Sequence, residues 1–351
     1  MLGLAGIAQG LSFRFLDPSP EAPAAAVGTL VTGALDDPAA LDEVAQGAAV
    51  VTYEWEGVPA DSASHLVAKA HTVAPGIRAL EVSQDRAAEK ALFQSLGIPT
   101  ATVANIDSRA ELDAAVAAIG VPAVLKTRRG GYDGKGQHVL RAPADVDAAW
   151  AALGGVPLIY ESFVAFRREL SIVAARAADG TTACWPVVEN AHRDGILHVT
   201  RAPAPGWTPA LQAAAERIGV GVLAALDFVG VGCVELFQTD DALVANELAP
   251  RVHNSGHWSI EGAQTSQFEN HLRAILGRPL GSTASRGVSA MVNCLGSMPD
   301  TDAVLAIEGA HLHDYGKTPR PGRKVGHVTL TAGNEEAIDA RLAELLKVID
   351  G

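Results

Sequence analysis

The segment GCVELFQTDDALVANELAP (232–250) carries two glutamates, Glu235 and Glu247, on apolar runs either side of Thr239-Asp240-Asp241. Apolar runs around a polar turn predict a β-hairpin. The midpoint between the glutamates falls on Asp241, so an odd-length turn of three or five residues sets the carboxylates directly opposite, with Cβ atoms about 4.5–5.5 Å apart. Like charges at that distance repel, and a divalent cation turns the liability into a site. Mg²⁺ suits it, because this ion takes carboxylates together with substrate phosphate oxygens and keeps some waters. A different register would leave both side chains on a solvent face. Asn246 can add an amide ligand or a phosphate contact. Arg251 and His253 follow at once in APRVHNSGHW, too rich in Pro, Gly and polar groups for regular structure. Loop side chains beside a carboxylate pair are typical functional positions.

A second stretch, KTRRGGYDGKGQ (126–137), asks whether its Gly-Lys pair belongs to a phosphate loop. The Walker A pattern needs a glycine five residues before Gly134 and a hydroxyl after Lys135. Arg129 and Gly136 stand there instead. VPAVLKT before the loop and GQHVLRA after it both read as strands, so the glycines tip a hairpin and do not open a helix. Such a hairpin can lay backbone N–H groups over phosphates as a flap, with Lys126 as a point charge at its base. The alternative is a bare surface hairpin, although Gly130, Gly131, Gly134 and Gly136 exceed what a turn needs. KTPRPGRK (317–324) concentrates four of the chain's 27 basic residues. It suits a small anionic ligand or a solvated basic face.

The formal net charge of −13 over 351 residues excludes general nucleic-acid binding, which needs basic surface. No run of 18 apolar residues suggests a membrane partner, and no secretory start is visible. Cys184, Cys233 and Cys294 are far apart and odd in number. They read as buried free thiols in a reducing cytoplasm.

Several elements must position these groups. QDRAAEKALFQSL (84–96) has helical spacing and stops at Gly97 before Ile98-Pro99. Ser108 and Glu111 form a capping box for a helix ending at Gly120. Asp179-Gly180 centres a hairpin within 169–190. Thr208-Pro209 starts a helix through about residue 226. A last helix over 334–349 places Ile338, Leu342, Leu345 and Ile349 on one face. The length and these signals predict an α/β start (1–99), a small α+β middle (100–180) and a larger α+β end (181–351).

This order, with Lys126 on a strand, a glycine hairpin, Glu161-x-x-Val164 and paired late glutamates, resembles the ATP-grasp superfamily. GGYDGKGQ, ENAHRDGIL, NELAPRVHNSGHW and PGRKVGH together resemble one of its families, the N5-carboxyaminoimidazole ribonucleotide synthetases. The similarity runs from LDPSPEAPA (16–24) through VTYEWEGVP to the end. It implies an ATP-grasp fold behind a Rossmann-like pre-ATP-grasp domain. That family usually begins with a strand and a Gly-Gly-Gly-Gln-Leu-Gly-Arg-Met turn, whereas Met1-Leu2-Gly3-Leu4 starts at its final Met, so the first strand is expected to be lacking.

The activity implied is carboxylation of 5-aminoimidazole ribonucleotide by bicarbonate, dependent on ATP and Mg²⁺ and passing through carboxyphosphate, in a cytoplasmic homodimer. Matched by position, Arg86 and Lys126 would touch ATP phosphates. Gly131, Tyr132, Asp133, Gly134, Lys135, Gly136 and Gln137 would form the lid over ATP. Glu161, Ser162, Phe163 and Val164 would line the adenine pocket, Glu169 would hold the ribose, and His192 would close on the nucleotide. Glu235 and Glu247 would bind magnesium beside Asn246. Glu54, Tyr132 and Lys135 would face the ribonucleotide, and Lys317, Arg323 and Lys324 would take its phosphate. Arg251 and His253 would hold bicarbonate and carboxyphosphate, and Asp133 would accept the amine proton. A formate-dependent glycinamide ribonucleotide transformylase, sharing the ATP site, and a nucleotide-binding remnant without turnover are the rival readings. NSGHW and PGRKVGH favour the synthetase.

Overall fold

The computed structural model describes residues 1–131 and 135–350. Tyr132, Asp133 and Gly134, assigned above to the lid and the second substrate, lie outside the described residues. The described chain is mixed α/β in three sheets. At the start, strands Arg14–Asp17 and Thr29–Thr32 pair in parallel. Helices Pro38–Ala45 and Ala60–Ala68 bring Leu41, Ala45 and Leu66 into a small core beside them.

The middle sheet has four antiparallel strands in the order Val103–Ile106, Leu158–Ser162, Ala123–Thr127, Gln137–Leu140. Its helix Arg109–Ile119 begins with the capping box: Glu111 N–H donates to Ser108 Oγ at 3.3 Å, and Ser108 N–H donates back to Glu111 Oε2 at 3.0 Å. Leu112 and Ala115 then face Leu125, Leu158 and Tyr160 in one core. The glycine stretch joins Ala123–Thr127 to Gln137–Leu140, with Lys126 opposite Gln137, as a hairpin connection.

The third sheet has nine strands. Its path runs Leu243–Ala249, Gly230–Gln238, Arg168–Arg176, Val188–Arg193, Ile196–Ala202, Val288–Leu295, Lys324–Ala332, Ala310–Asp314, and Thr182–Cys184 pairs beside Arg168–Arg176. The division expected at residue 180 is corrected here. Arg168–Arg176 pairs along its whole length with Gly230–Gln238, so the change of sheet falls between Ser162 and Arg168. Asp179-Gly180 closes a hairpin within one sheet, with Asp179 Oδ1 accepting from Thr181 N–H at 2.9 Å.

Strand period decides what covers this sheet. In ELSIVAARA, Leu170, Ile172 and Ala174 lie under Val222 and Leu223 of helix Pro209–Ala225, whose Thr208 Oγ1 caps Leu211 N–H. Val173 and Ala175 face Trp258 and Phe268 on the other side. Burying each large aliphatic side chain contributes about 1.5–3 kcal/mol, so both faces are committed and the sheet is a rigid platform. The last helix, Glu335–Asp350, packs Ile338 and Leu345 on the far strands, with Leu342 and Ile349 beside them. Cys233 and Cys294 are buried as expected, whereas Cys184 is half-buried.

His271, fully buried on helix Gln267–Ile275, ties the first unit to this platform. Its Nδ1 accepts from Val231 N–H at 3.1 Å, which leaves Nε2–H to donate to Thr52 Oγ1 at 2.8 Å. Burial lowers its pKa to about 4. The unfolded chain takes up this proton first as pH falls below about 6.5, so the contribution of the neutral ring is complete above that pH and is lost progressively towards 4. The difference corresponds to roughly 3 kcal/mol. His271→Gln is expected to show a shallower loss of urea stability between pH 6.5 and 4.5 than the parent chain. Equal slopes would refute the assignment.

Candidate active site

Glu235 and Glu247 are direct partners across the hairpin of Gly230–Gln238 and Leu243–Ala249. The expectation of opposed carboxylates holds, but that of an odd-length turn does not. The last pair is Gln238 with Leu243, which leaves Thr239 to Ala242 as a turn of even length, folded around Thr239 Oγ1. The extra residue is Asn246: Leu236 pairs with Ala245 and Glu235 with Glu247, so Asn246 is bulged out between them. A bulge places two residues against one and re-aims the chain locally. Here it brings the carboxylates into opposition.

The pair is electrostatically divided. Burial would raise Glu235, but the hydrogen bond and charge of His253, whose Nε2 lies 3.2 Å from Oε1, hold it at about 2. Desolvation by the surrounding cleft raises Glu247, whose side chain still reaches solvent, and the charge of Glu235 adds to that. Burial opposes charge on His253 too, yet the facing Cys233 and Glu235 lift it to about 10. Ser255 fixes the ring, its Oγ 2.8 Å from Nδ1.

Two facing carboxylates with an adjacent amide match a hard, oxygen-seeking divalent cation. Among the described residues no group of three or more His, Cys, Asp and Glu could hold a metal ion. A cation here would therefore draw its remaining ligands from substrate and water, as Mg²⁺ does.

A cleft separates this hairpin from the middle sheet, lined by Lys90, Lys126, Glu161, Ser162, Phe163, Val164, Phe237 and Asn246. Lys126 Nζ donates to Glu161 Oε2 at 2.8 Å. Glu161 Oε1 is buried without a hydrogen-bond partner among the described residues. A buried acceptor without a donor costs free energy, and here it faces a cleft where a ligand amine could satisfy it. Phe163 and Phe166 are exposed at the mouth, and Phe166 stacks on Phe237 at 4.5 Å. Flat apolar walls beside one acceptor suit a nucleobase. An adjoining pocket holds Glu169, Asn190, His192, Glu235 and Asn246. His192 Nδ1 lies 2.5 Å from Glu169 Oε2; burial would lower its pKa, but that contact raises it.

Arg86 sits at the base of the glycine stretch. It donates to Thr127 O at 2.9 Å and to Gly131 O at 3.2 Å, while Thr127 N–H donates to Gly136 O at 2.8 Å. The glycines are needed here: a Cβ on Gly131 would come within 2.7 Å of Lys135 O, and Gly136 has φ +69°.

Of the expected ribonucleotide residues, Glu54, Arg323 and Lys324 act electrostatically on Lys317. Lys317 Nζ lies 5.2 Å from the centre of the Tyr315 ring. Burial, then the charges of Arg323 and Lys324, lower its pKa, and Glu54 opposes them. Glu54 Oε1 also accepts from Leu2 N–H at 3.1 Å.

The sequence reading missed four residues. Glu56 pairs with Arg251 Nε, although only Glu54 of TYEWE was singled out. Glu89 and Lys90 are buried against the hairpin; their place beside Phe93 on the helical stripe was the available signal. Tyr315, preceding KTPRPGRK, carried none.

Residues 91–268 match the ATP-grasp domain family, 1–84 the ribonucleotide synthetase preATP-grasp domain, and 289–341 the phosphoribosylaminoimidazole carboxylase C-terminal domain. The N5-carboxyaminoimidazole ribonucleotide synthase of Pseudomonas aeruginosa is 51% identical over 100% of this chain and 96% of its own. The crystal structure of N5-carboxyaminoimidazole ribonucleotide synthetase from Thermus thermophilus is 52% identical, with TM-score 0.96 over 100% of this chain and 96% of that one. A synthase from Aspergillus clavatus, in complex with ADP and 5-aminoimidazole ribonucleotide, is 31% identical with TM-score 0.93, covering 100% and 95%.

Because Arg86 holds two loop-base carbonyls, Arg86→Ala should raise the rate of tryptic cleavage after Arg128 or Arg129 by about tenfold, from two lost hydrogen bonds. Mass spectrometry of timed digests measures it, and an unchanged rate would discount the contact.

Proposed function

The chain belongs to the family of N5-carboxyaminoimidazole ribonucleotide synthases, ATP-grasp ligases, and from that premise we propose how its residues divide the carboxylation of 5-aminoimidazole ribonucleotide by bicarbonate in purine biosynthesis. The observation that carries the reading is the direct opposition of Glu235 and Glu247 beside a base-sized cleft and the Arg251–His253 loop.

ATP lies with its adenine between Phe163 and the Phe166–Phe237 stack, its amino group donating to Glu161 Oε1, which has no hydrogen bond among the described residues. Glu169 and His192 hold the ribose side, and Lys126 and Arg86 face the phosphates. Glu235, Glu247 and the Asn246 amide would hold magnesium. When bound, that ion would supply positive charge to the phosphoryl oxygens. Bicarbonate is a poor electrophile, so its oxygen first attacks the γ-phosphorus, the bond to ADP breaks, and carboxyphosphate results. Arg251, braced by Glu56, holds both anions. His253, braced by Ser255 and Glu235, stands beside it.

The ribonucleotide phosphate binds at Lys317, Arg323 and Lys324, whose mutual repulsion an anion relieves. The exocyclic amine attacks the carboxyl carbon of carboxyphosphate or the CO₂ released from it. Phosphate leaves and Asp133 takes the amine proton. The family resemblance assigns the lid to the stretch 131–137, which would keep water from an intermediate that hydrolyses readily. The first unit ends near residue 99, and the middle sheet acts as the half of the clamp that carries the lid. We place the enzyme in the cytoplasm, where its three thiols stay reduced, and assign it a homodimeric state on family resemblance.

The test is ADP release with ATP, Mg²⁺ and bicarbonate, adding 5-aminoimidazole ribonucleotide or, with formate, glycinamide ribonucleotide. Release dependent on the first is expected; release only with the second, or with neither despite ATP binding, would overturn the reading. Glu247→Gln should lower kcat by at least about 10²-fold with an unchanged circular dichroism spectrum. Near-normal turnover would discard the metal assignment.

A further inference from the structure

Leu243–Ala249 is the terminal strand of the nine-stranded sheet, and among the described residues its outer edge has no partner strand, only the isolated bridge of Thr100 with Ala245. Helix Arg86–Ser95 lies along that edge and presents two adjacent buried ionisable residues, Glu89 and Lys90, each 2% exposed. Neighbours on a helix point about 100° apart, and these two reach different points of the strand. Glu89 Oε1 accepts from Leu248 N–H at 2.6 Å, and Lys90 Nζ donates to the carbonyl of Asn246. The two contacts fall on either side of Glu247. Lys90 Nζ also lies 3.9 Å from Glu161 Oε1, across the nucleotide cleft.

We propose that Glu89 and Lys90 are positioning residues, a clamp that fixes the backbone on both sides of Glu247 and so sets where its carboxylate meets the metal. The inference rests on the reading of Glu247 as a metal ligand. Its physical basis is the bulge. Asn246 interrupts the ladder one residue before Glu247, and a bulged terminal strand is held on one side by an irregular set of bonds. A cation that demands near-octahedral geometry tolerates little drift in its ligands. Buried ion pairs return little net stability after desolvation, so fixing geometry is the use that suits them. Through Lys90 the same clamp connects the metal hairpin to Glu161, which brings the cation and the nucleobase into one frame.

The experiment measures Mn²⁺ affinity by electron paramagnetic resonance in the presence of a non-hydrolysable ATP analogue, alongside urea stability. Glu89→Ala and Lys90→Met are expected to bind Mn²⁺ about tenfold more weakly, and Glu89→Gln, whose amide oxygen still accepts from Leu248 N–H, to stay within about twofold of the parent chain. Equal weakening in Glu89→Gln and Glu89→Ala would assign the effect to charge and overturn the clamp. So would parent-like affinity in a folded Glu89→Ala. Hydrogen exchange of the Leu248 amide in the unaltered protein needs no variant to fold. Strong protection is expected, and exchange at the rate of an open sheet edge would overturn the proposal. Unchanged Mn²⁺ affinity in Glu247→Gln would instead overturn the metal reading, an outcome distinct from failure at Glu89.

Discussion

Two carboxylates held face to face across a hairpin are a standing electrostatic debt, and the cleft is arranged around it. At an effective dielectric near 20, like charges about 4–5 Å apart repel by roughly 4 kcal/mol. His253 takes up Glu235, and Arg86 and Lys126 offset part of the upward shift that desolvation and Glu235 impose on Glu247. His253, Arg86 and Lys126 are thus the cations that make the facing pair tolerable. The two facing carboxylates therefore differ in character: Glu235 is firmly ionised and Glu247 is raised.

Much of the scaffold could be read from the sequence because its signals are local. The capping box at Ser108, the cap at Thr208, the glycine hairpin after Lys126 and the amphipathic last helix each depend on residues within a turn or two of one another. The opposition of Glu235 and Glu247 was also legible, although its cause was not. Turn length and bulge both change register by one residue, and spacing alone cannot separate them. What stayed hidden was non-local. Glu89, Lys90 and Glu56 make their contacts with residues more than 150 positions away, and nothing in the flanking sequence names those partners. His271 reads as one more polar residue on a helix until Thr52 and Val231 are placed beside it.

The three units meet at helix Arg86–Ser95. Its first residue holds the glycine stretch, Glu89 and Lys90 bond the hairpin strand Leu243–Ala249, and Leu92 and Phe93 enter the core beneath the large sheet. A segment that reads as a boundary between domains is therefore their common support. Asp85, its N-cap, also pairs with Arg128 at 2.7 Å, so the start of the helix and the base of the loop share one carboxylate.

The occupied edge of strand Leu243–Ala249 matters beyond the chemistry. An open terminal strand is a template on which another chain can extend a sheet. Here Glu89, Lys90 and the carbonyl of Pro99, which accepts from Ala245 N–H at 2.7 Å, use the groups such a chain would need. The contacts that hold this hairpin still also make its outer edge unavailable to strangers, so loosening this corner would expose the protein to self-association.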